Sequence, residues 1–592
     1  MVEKSNIVSY SFDENGLERI RNTPKGVNWP VVYLIHNEDA IYIGETTSAA
    51  TRMHQHLKNS EKNSLEIVEI IFDGEYNKSV VLDYEQKLIK YCSADIRFRK
   101  ILNKNKGQQA AHDYFNRRYY RNQFKDLWKQ LQKKGLAEKS LKVIENENIF
   151  KYSPYNALSV EQNEVSVCII NDILNTFETD NTGVSLVNGC AGTGKTVLAI
   201  SLINSFINAV NIDDELLDGE AREFDDIDEG KRSALLRLKN YILKERGGKL
   251  FKIGFVMPMS GIRETIKKVF KECGNGLERR MVIAPCDVVK DDYDIIFVDE
   301  SHRLSKRCNI TNYKSFDDTS QKLNLDSERT NQLEWILKSA KHVVLFYDEY
   351  QNSLNKYAKN VVRHQLETQM RCLGGETYIE YVKAIMECRR KKFETMENYD
   401  FLLFDDVNMM IENIRRKDDQ IGLCKTAAGY SWKWTTRPSK RPKDNMECYD
   451  MLVRTGAFDI EIEGYKYIWN LTDKGWATRR DSHCTIGCIH TVQGYDMNYV
   501  GVIFGEEIDY NYETNSLEIN LDKYMDKKVK QNTDKNHLKQ LILNTYTTIL
   551  TRGIHGCYVY ACNPNMREYL KQFVSRANSV TAGGDYNGNE DN

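Results

Sequence analysis

Gly189, Gly192 and Gly194-Lys195-Thr196 place glycines, a cation and a hydroxyl at the spacing of a phosphate-binding turn, Gly-x4-Gly-Lys-Thr. Glycines let backbone N–H groups close around a polyphosphate, the lysine reaches its β and γ oxygens, and the threonine hydroxyl ligates Mg²⁺. Farther along, the apolar run Ile295-Ile-Phe-Val298 ends in Asp299 and Glu300. Two carboxylates at the end of a buried strand suit metal-assisted hydrolysis, with Asp299 engaging Mg²⁺ through water and Glu300 polarising the attacking water. Together these residues could hydrolyse a nucleoside triphosphate.

Such groups need a scaffold. The run Val184-Ser-Leu-Val187 predicts a strand entering the turn, and a helix beginning near Lys195 points its partly positive end at the same anion. The 592 residues, 41% of them apolar, allow about three or four domains at roughly 150 residues each. Net charge is −2, so any nucleic-acid-binding surface must be local. The fourteen Cys form no CxxC pair and follow no secretory signal, which predicts reduced thiols in a cytoplasmic protein. No apolar run approaches the ~20 residues that span a bilayer, so no membrane partner is expected. His483, Cys484, Cys488 and His490 fit no common zinc spacing and read as part of an apolar strand.

Near the N-terminus, Pro30–His36 and Asp39–Gly44 read as a β-hairpin, followed by a helix on which Arg52 and His56 share a face. Val80–Tyr91 reads as a second, amphipathic helix with Glu85 among its apolar positions. A phosphodiester cutter needs a cationic clamp, a hard cation on an oxygen ligand and a group that accepts a proton from water. A tyrosine with an unperturbed pKa near 10 is a poor base unless a cation lowers it. With Tyr42-Ile43-Gly44 intact and Val31-Val32-Tyr33 in place of the other half-signature, residues 28–107 resemble the GIY-YIG endonuclease domain. The resemblance implies that Tyr42, helped by Tyr33, activates water. It further implies that Arg52 clamps the scissile phosphate, Glu85 holds one Mg²⁺ or Mn²⁺, and Asn103 is the family's C-terminal asparagine. His56 reads either as a proton relay or as an exposed helical histidine.

Residues 97–142 hold fourteen Lys or Arg against three acids, interleaved with six aromatics from Tyr114 to Trp128. That composition suits a phosphate backbone with exposed bases, or equally a solvated connecting helix with its aromatics packed on a neighbour. From Leu158 onward the chain resembles a superfamily-one DNA/RNA helicase related to the Schlafen helicase domains. The resemblance implies that Gln162 reads adenine, that Asp348 and Gln351 sense the γ-phosphate, and that Arg371 and Arg552 are arginine fingers. It also places Gln493 and Gly494 in a motif touching both nucleotide and strand, with Asp496 near an expected acid. The segment Asp213–Glu229, ten carboxylates against one Arg, reads as a solvated insertion. Four of the seven Trp fall within 425–480, where core packing is favoured over base stacking.

The expected architecture is α/β, with a small mixed α/β GIY-YIG nuclease domain (1–110) followed by a basic helical linker (111–150). Two RecA-like parallel-sheet lobes then occupy 151–360, with the acidic insertion at 211–230, and 361–574, with the Trp-rich insertion; a disordered tail runs over 575–592. The expected function is ATP- and Mg²⁺-dependent motor activity coupled to cleavage of DNA, suited by its architecture to prokaryotic defence against phage or plasmid DNA. Repair, a non-cleaving DNA-binding module with an ATP-gated motor, and an RNA-directed motor are the alternatives.

Overall fold

The computed structural model describes residues 6–577 except 63, 104–113, 157, 190–191, 212–228, 309, 311, 348–359, 369–371, 390–393, 395, 397–398, 437–443, 472–475, 489–491, 493–494, 527–529 and 531–534. The chain gathers into two compact units, one of Met1–Cys190 with Lys195–Glu367 and one of Thr368–Asn592 with Ala191–Gly194.

The first unit opens with a mixed sheet of β1 (Asn6–Ser11), β2 (Val31–His36), β3 (Ala40–Thr46), β4 (Ile67–Phe72) and β5 (Lys100–Ile101). Its order is β1-β4-β2-β3-β5, antiparallel except for β3 with β5. Alternation along β2 sends Val31, Tyr33 and Ile35 into one core and Val32 and Leu34 into another. Both faces are covered, which is why the strand reads as an unbroken apolar run. Helices α1 (Glu14–Arg21) and α2 (Ala49–Leu57) supply the first core, and α3 (Lys78–Ala94) the second.

The basic stretch that follows joins this domain's core. In α4 (Arg117–Lys133) Tyr120, Phe124, Leu127, Trp128 and Leu131 recur at helical spacing and are buried in the same core as Tyr84 and Leu88 of α3. Arg118, Arg121, Lys125 and Lys129 remain outward. The expected linker is therefore the domain's outer helical layer, because its aromatics have more apolar area to bury than a solvated helix could leave in water. Helices α5 (Leu141–Asn146) and α6 (Asn148–Lys151) lead on to Tyr155, whose ring lies in that core too.

Next come α7 (Val160–Glu178), β6 (Gly183–Gly189), α8 (Lys195–Ile207), α9 (Glu229–Lys244), β7 (Ile253–Val256), α10 (Ser260–Cys273), β8 (Val282–Ile283), β9 (Tyr293–Val298), α11 (Tyr313–Lys322), α12 (Gln332–Lys338), β10 (Ala340–Tyr347) and β11 (Asn360–Leu366). Their sheet is wholly parallel, in the order β11-β6-β10-β9-β7-β8, with an apolar core on each face. β11 pairs with β6, so the strand beyond the expected boundary at 360 completes the first lobe.

The second unit holds another six-stranded parallel sheet. Its elements are α13 (Gly375–Met386), β12 (Asp400–Leu403), α14 (Val407–Ile421), β13 (Cys424–Ala428), α15 (Asn445–Arg454), β14 (Ile460–Ile462), β15 (Tyr465–Tyr467), β16 (Gly487–Cys488), β17 (Met497–Phe504), β18 (Ile508–Asn511), β19 (Ser516–Ile519), α16 (Lys535–Leu550), β20 (Gly553–Ala561), α17 (Pro564–Leu570) and β21 (Ser575–Arg576). The order is β16-β13-β17-β20-β12-β21, while β14–β15 and β18–β19 form separate two-stranded ribbons. Both parallel sheets fit RecA-like lobes. Ser575 and Arg576, assigned from sequence to a disordered tail, pair with β12; residues 578–592 lie outside the described part. Trp469 and Trp476 are fully buried, and Trp434 is partly exposed.

Candidate active sites

Strand β6 delivers its last residue, Gly189, to the mouth of the phosphate-binding turn, and α8 begins at Lys195. Gly192 (φ 98°) and Gly194 (φ 76°) occupy the left-handed region, where a side chain would strain the turn. The Lys195 ammonium is buried and donates to the Gly189 carbonyl, folding the lysine back over its own loop.

Thr196 donates its hydroxyl to Asp299 Oδ2 at 2.7 Å. Asp299 follows β9, which is separated from β6 by β10, so one intervening strand sets the width of the cleft at the carboxyl ends of the strands. Burial, then the neighbouring Glu300, raises the Asp299 carboxyl to about 6, against the pull of Thr196 and Lys195. Glu300 adopts a left-handed backbone conformation (φ 49°), with its carboxylate 3.2 Å from His302 Nε2 and 3.5 Å from Arg303 Nε. A hydroxyl and a carboxylate side by side form an oxygen donor pair of the kind Mg²⁺ takes.

Gln162 is buried in the first turn of α7, where it completes a reciprocal cap: its Oε1 accepts from the Ser159 N–H at 3.0 Å, and its own N–H donates to Ser159 Oγ at 3.1 Å. In the second unit, Arg552 is buried just before β20, with Nη1 4.0 Å from Asp496 Oδ1. Arg371, Asp348, Gln351, Gln493 and Gly494 lie outside the described residues.

The N-terminal domain assembles a second cluster. Tyr33 and Gly44 are cross-strand partners of β2 and β3, and a Cβ on residue 44 would stand 2.2 Å from Tyr33 Oη. The glycine thus makes room for the phenol. Tyr33 Oη lies 2.7 Å from His56 Nε2, and the Tyr42 ring centroid lies 6.3 Å from that of Tyr33 and 5.0 Å from that of His56. Burial, then Tyr42, pushes the Tyr33 phenol well above its ordinary value, while Arg52 opposes and Glu85 adds to the shift. Two tyrosines, an arginine, a histidine and a carboxylate from β2, β3, α2 and α3 therefore share one electrostatic neighbourhood. His56 is buried, not exposed; burial, Lys62 and Arg52 lower it to about 2, so the imidazole is neutral.

Asn103 does different work. Its Oδ1 accepts from the Ile43 N–H at 3.0 Å and its Nδ2 donates to the Ile43 carbonyl at 2.7 Å, clamping β3 beside Tyr42. The Asn103 carbonyl in turn accepts from Tyr155 Oη and from Asn275 Nδ2, each at 3.2 Å. Asn275 follows α10, so the strand carrying Tyr42 is tied to the ATPase-like lobe.

Lys62 is the residue that sequence reasoning missed. Its Nζ is buried 2.7 Å from His56 Nδ1 and 3.4 Å from the centroid of the Tyr42 ring. No sequence signal marks it, since Lys62 lies past the end of α2 and six residues from His56, a separation that fits no helical face. Among the described residues no group of three or more His, Cys, Asp or Glu could hold a metal. A lone carboxylate such as Glu85 still suits Mg²⁺, which is commonly held by one or two carboxylates completed by water and substrate phosphate.

A parallel sheet bearing a glycine-rich turn, a lysine and a threonine after one strand, and an aspartate after another, defines a P-loop nucleotide-binding lobe. Residues 182–563 match the family model described as Schlafen group 3, DNA/RNA helicase domain, and the chain belongs to that family. It is also similar to the uncharacterized protein YPL245W of Saccharomyces cerevisiae, at 25% identity over 437 residues covering 65% of this chain and 83% of that protein. No helix among the described residues is long and apolar enough to cross a membrane.

Proposed function

We propose that this chain is an ATP- and Mg²⁺-dependent nucleic-acid motor whose N-terminal domain is a metal-dependent endonuclease of the GIY-YIG kind acting on DNA. The observation that supports the motor is the Thr196–Asp299 contact, which unites the two motifs of a hydrolytic site. In this reading Lys195 leaves the Gly189 carbonyl for the β and γ oxygens, Thr196 and Asp299 hold the cation, and Glu300 orients water. Bound Mg²⁺ neutralises charge on the transferring phosphoryl group. Gln162 contributes to the adenine site, Asp348, Gln351, Gln493 and Gly494 couple nucleotide to strand, and Arg371 and Arg552 are arginine fingers.

For the nuclease, the support is the gathering of Tyr33, Tyr42, Arg52, His56 and Glu85. Arg52 would hold the scissile phosphate, Tyr42 take the proton of the attacking water, and Glu85 hold Mg²⁺ or Mn²⁺. The test is cleavage of defined single-stranded DNA, duplex DNA and RNA with Mg²⁺, with and without ATP. Wild type is compared with Lys195→Ala and Glu85→Ala. Loss of stimulated ATPase in the first variant and of cleavage in the second is expected. Cleavage that survives both Arg52→Ala and Glu85→Ala would leave a binding module in place of a nuclease.

A further inference from the structure

Three buried side chains form a line behind the tyrosines. Lys62 Nζ meets His56 Nδ1 at 2.7 Å, and His56 Nε2 meets Tyr33 Oη at 2.7 Å. The three are 8%, 3% and 1% exposed, so the line is shielded from water. An ammonium has three donors and no acceptor. The lone pair on Nδ1 must therefore receive the Lys62 proton, and a neutral imidazole that accepts at Nδ1 carries its hydrogen on Nε2. That Nε2–H can only donate to Tyr33 Oη. Arg52 approaches the same phenol as a hydrogen-bonding cation. The phenol oxygen is thus an acceptor from two sides, and what it has left to give is its own hydrogen.

We propose that Lys62 is a positioning residue that locks His56 in the Nε2–H tautomer, so that Tyr33 keeps its own proton and does not serve as a base. His56 is then a fixed strut, unable to accept a proton from Tyr33, and proton removal from water falls to Tyr42 alone. Burial, too, favours the protonated Tyr33 phenol. The last step rests on the nuclease reading above; the tautomer does not.

The test is ¹⁵N NMR of ring-labelled histidines in the full chain, with the His56 signals assigned by their loss in His56→Asn. The expected wild-type pattern is unprotonated Nδ1 and protonated Nε2. Lys62→Met should abolish it, and Lys62→Arg, which also offers only donors, should restore it. Cleavage should fall about 10–100-fold in Lys62→Met, as for other residues that orient a site from behind, with partial recovery in Lys62→Arg. A protonated Nδ1 in wild type, or an unchanged pattern in Lys62→Met, overturns the proposal. Should Lys62→Met not fold, the wild-type pattern and Lys62→Arg still decide. Cleavage that survives Glu85→Ala, or a wild type that does not cleave, refutes the nuclease reading while the tautomer still decides the place of Lys62.

Discussion

Thr196 and Asp299, 103 residues apart in the chain, meet through a 2.7 Å hydrogen bond that joins the start of α8 to the end of β9. The hydroxyl serves one oxygen of this buried carboxyl, while the Glu300 N–H serves the other at 3.0 Å. Thr196→Val should remove that donor at a cost of about 1–3 kcal/mol in stability, the range for an unsatisfied buried polar group. The same variant should lose nucleic-acid-stimulated ATPase. Urea unfolding and steady-state phosphate release measure the two effects, and normal turnover in Thr196→Val would remove the threonine from the site.

Lys195→Ala should abolish stimulated ATP turnover while leaving the fold intact, because its ammonium donates to a carbonyl of its own loop, that of Gly189. Circular dichroism melting with turnover on the same preparation separates loss of chemistry from loss of fold.

Gly44→Ala should displace the Tyr33 phenol, since the added Cβ would stand 2.2 Å from Tyr33 Oη. Overpacking of this kind typically costs about 1–3 kcal/mol. Cleavage should fall with it, and because the added Cβ would also stand 2.3 Å from Cζ and 2.9 Å from Cε2 of Tyr33, the double variant Gly44→Ala/Tyr33→Ala should lose less stability than the two single variants together. Additive losses would mean that the Tyr33 ring does not meet the new methyl.

Asn103→Ala should leave the Ile43 N–H and carbonyl without their side-chain clamp, at about 1–3 kcal/mol. Hydrogen exchange at the Ile43 amide should accelerate more than at its β2 partner Leu34. Equal protection in variant and wild type would show that the strand ladder alone holds β3.

His342 supplies a pH dependence. It is buried between Thr176 Oγ1 at 2.8 Å from Nδ1 and Ser185 Oγ at 3.0 Å from Nε2, and burial lowers it to about 4 from 6.5, with Asp172 opposing and His364 adding. The unfolded chain binds this proton first. Stability is therefore complete above about pH 6.5 and falls as pH drops toward about 4, by on the order of 3 kcal/mol. Denaturant midpoints of wild type and His342→Gln across that window should converge at low pH; parallel curves would exclude His342 as the source.

Much of the architecture was legible because local chemistry specified it. The phosphate turn needs glycines at left-handed positions and a lysine-threonine pair at a helix start, and those residues can be read in order. The Tyr42-Ile43-Gly44 hairpin strand and the helices bearing Arg52 and Glu85 were readable from alternation and helical spacing. Lys62 was not legible, because its meaning is a contact with His56 and Tyr42 that no pattern in Ser60–Lys62 announces. The cations of α4 drew attention as a basic stretch, whereas burial of Tyr120, Phe124 and Trp128 against α3 depends on which helix lies opposite.

The sequence by itself determined the order of strands, turns and helices and the residue types at the phosphate turn and at Asp299-Glu300. These follow from backbone sterics, hydrophobic periodicity and the chemistry of phosphate, all of which act over a few residues. Only the tertiary structure decided that β11 completes the first lobe, that Asn103 braces Ile43 and links it to Asn275, and that a buried lysine aligns His56 with Tyr33. Those relationships come from long-range packing, which selects partners by shape and burial and leaves no periodic trace in the residues it joins.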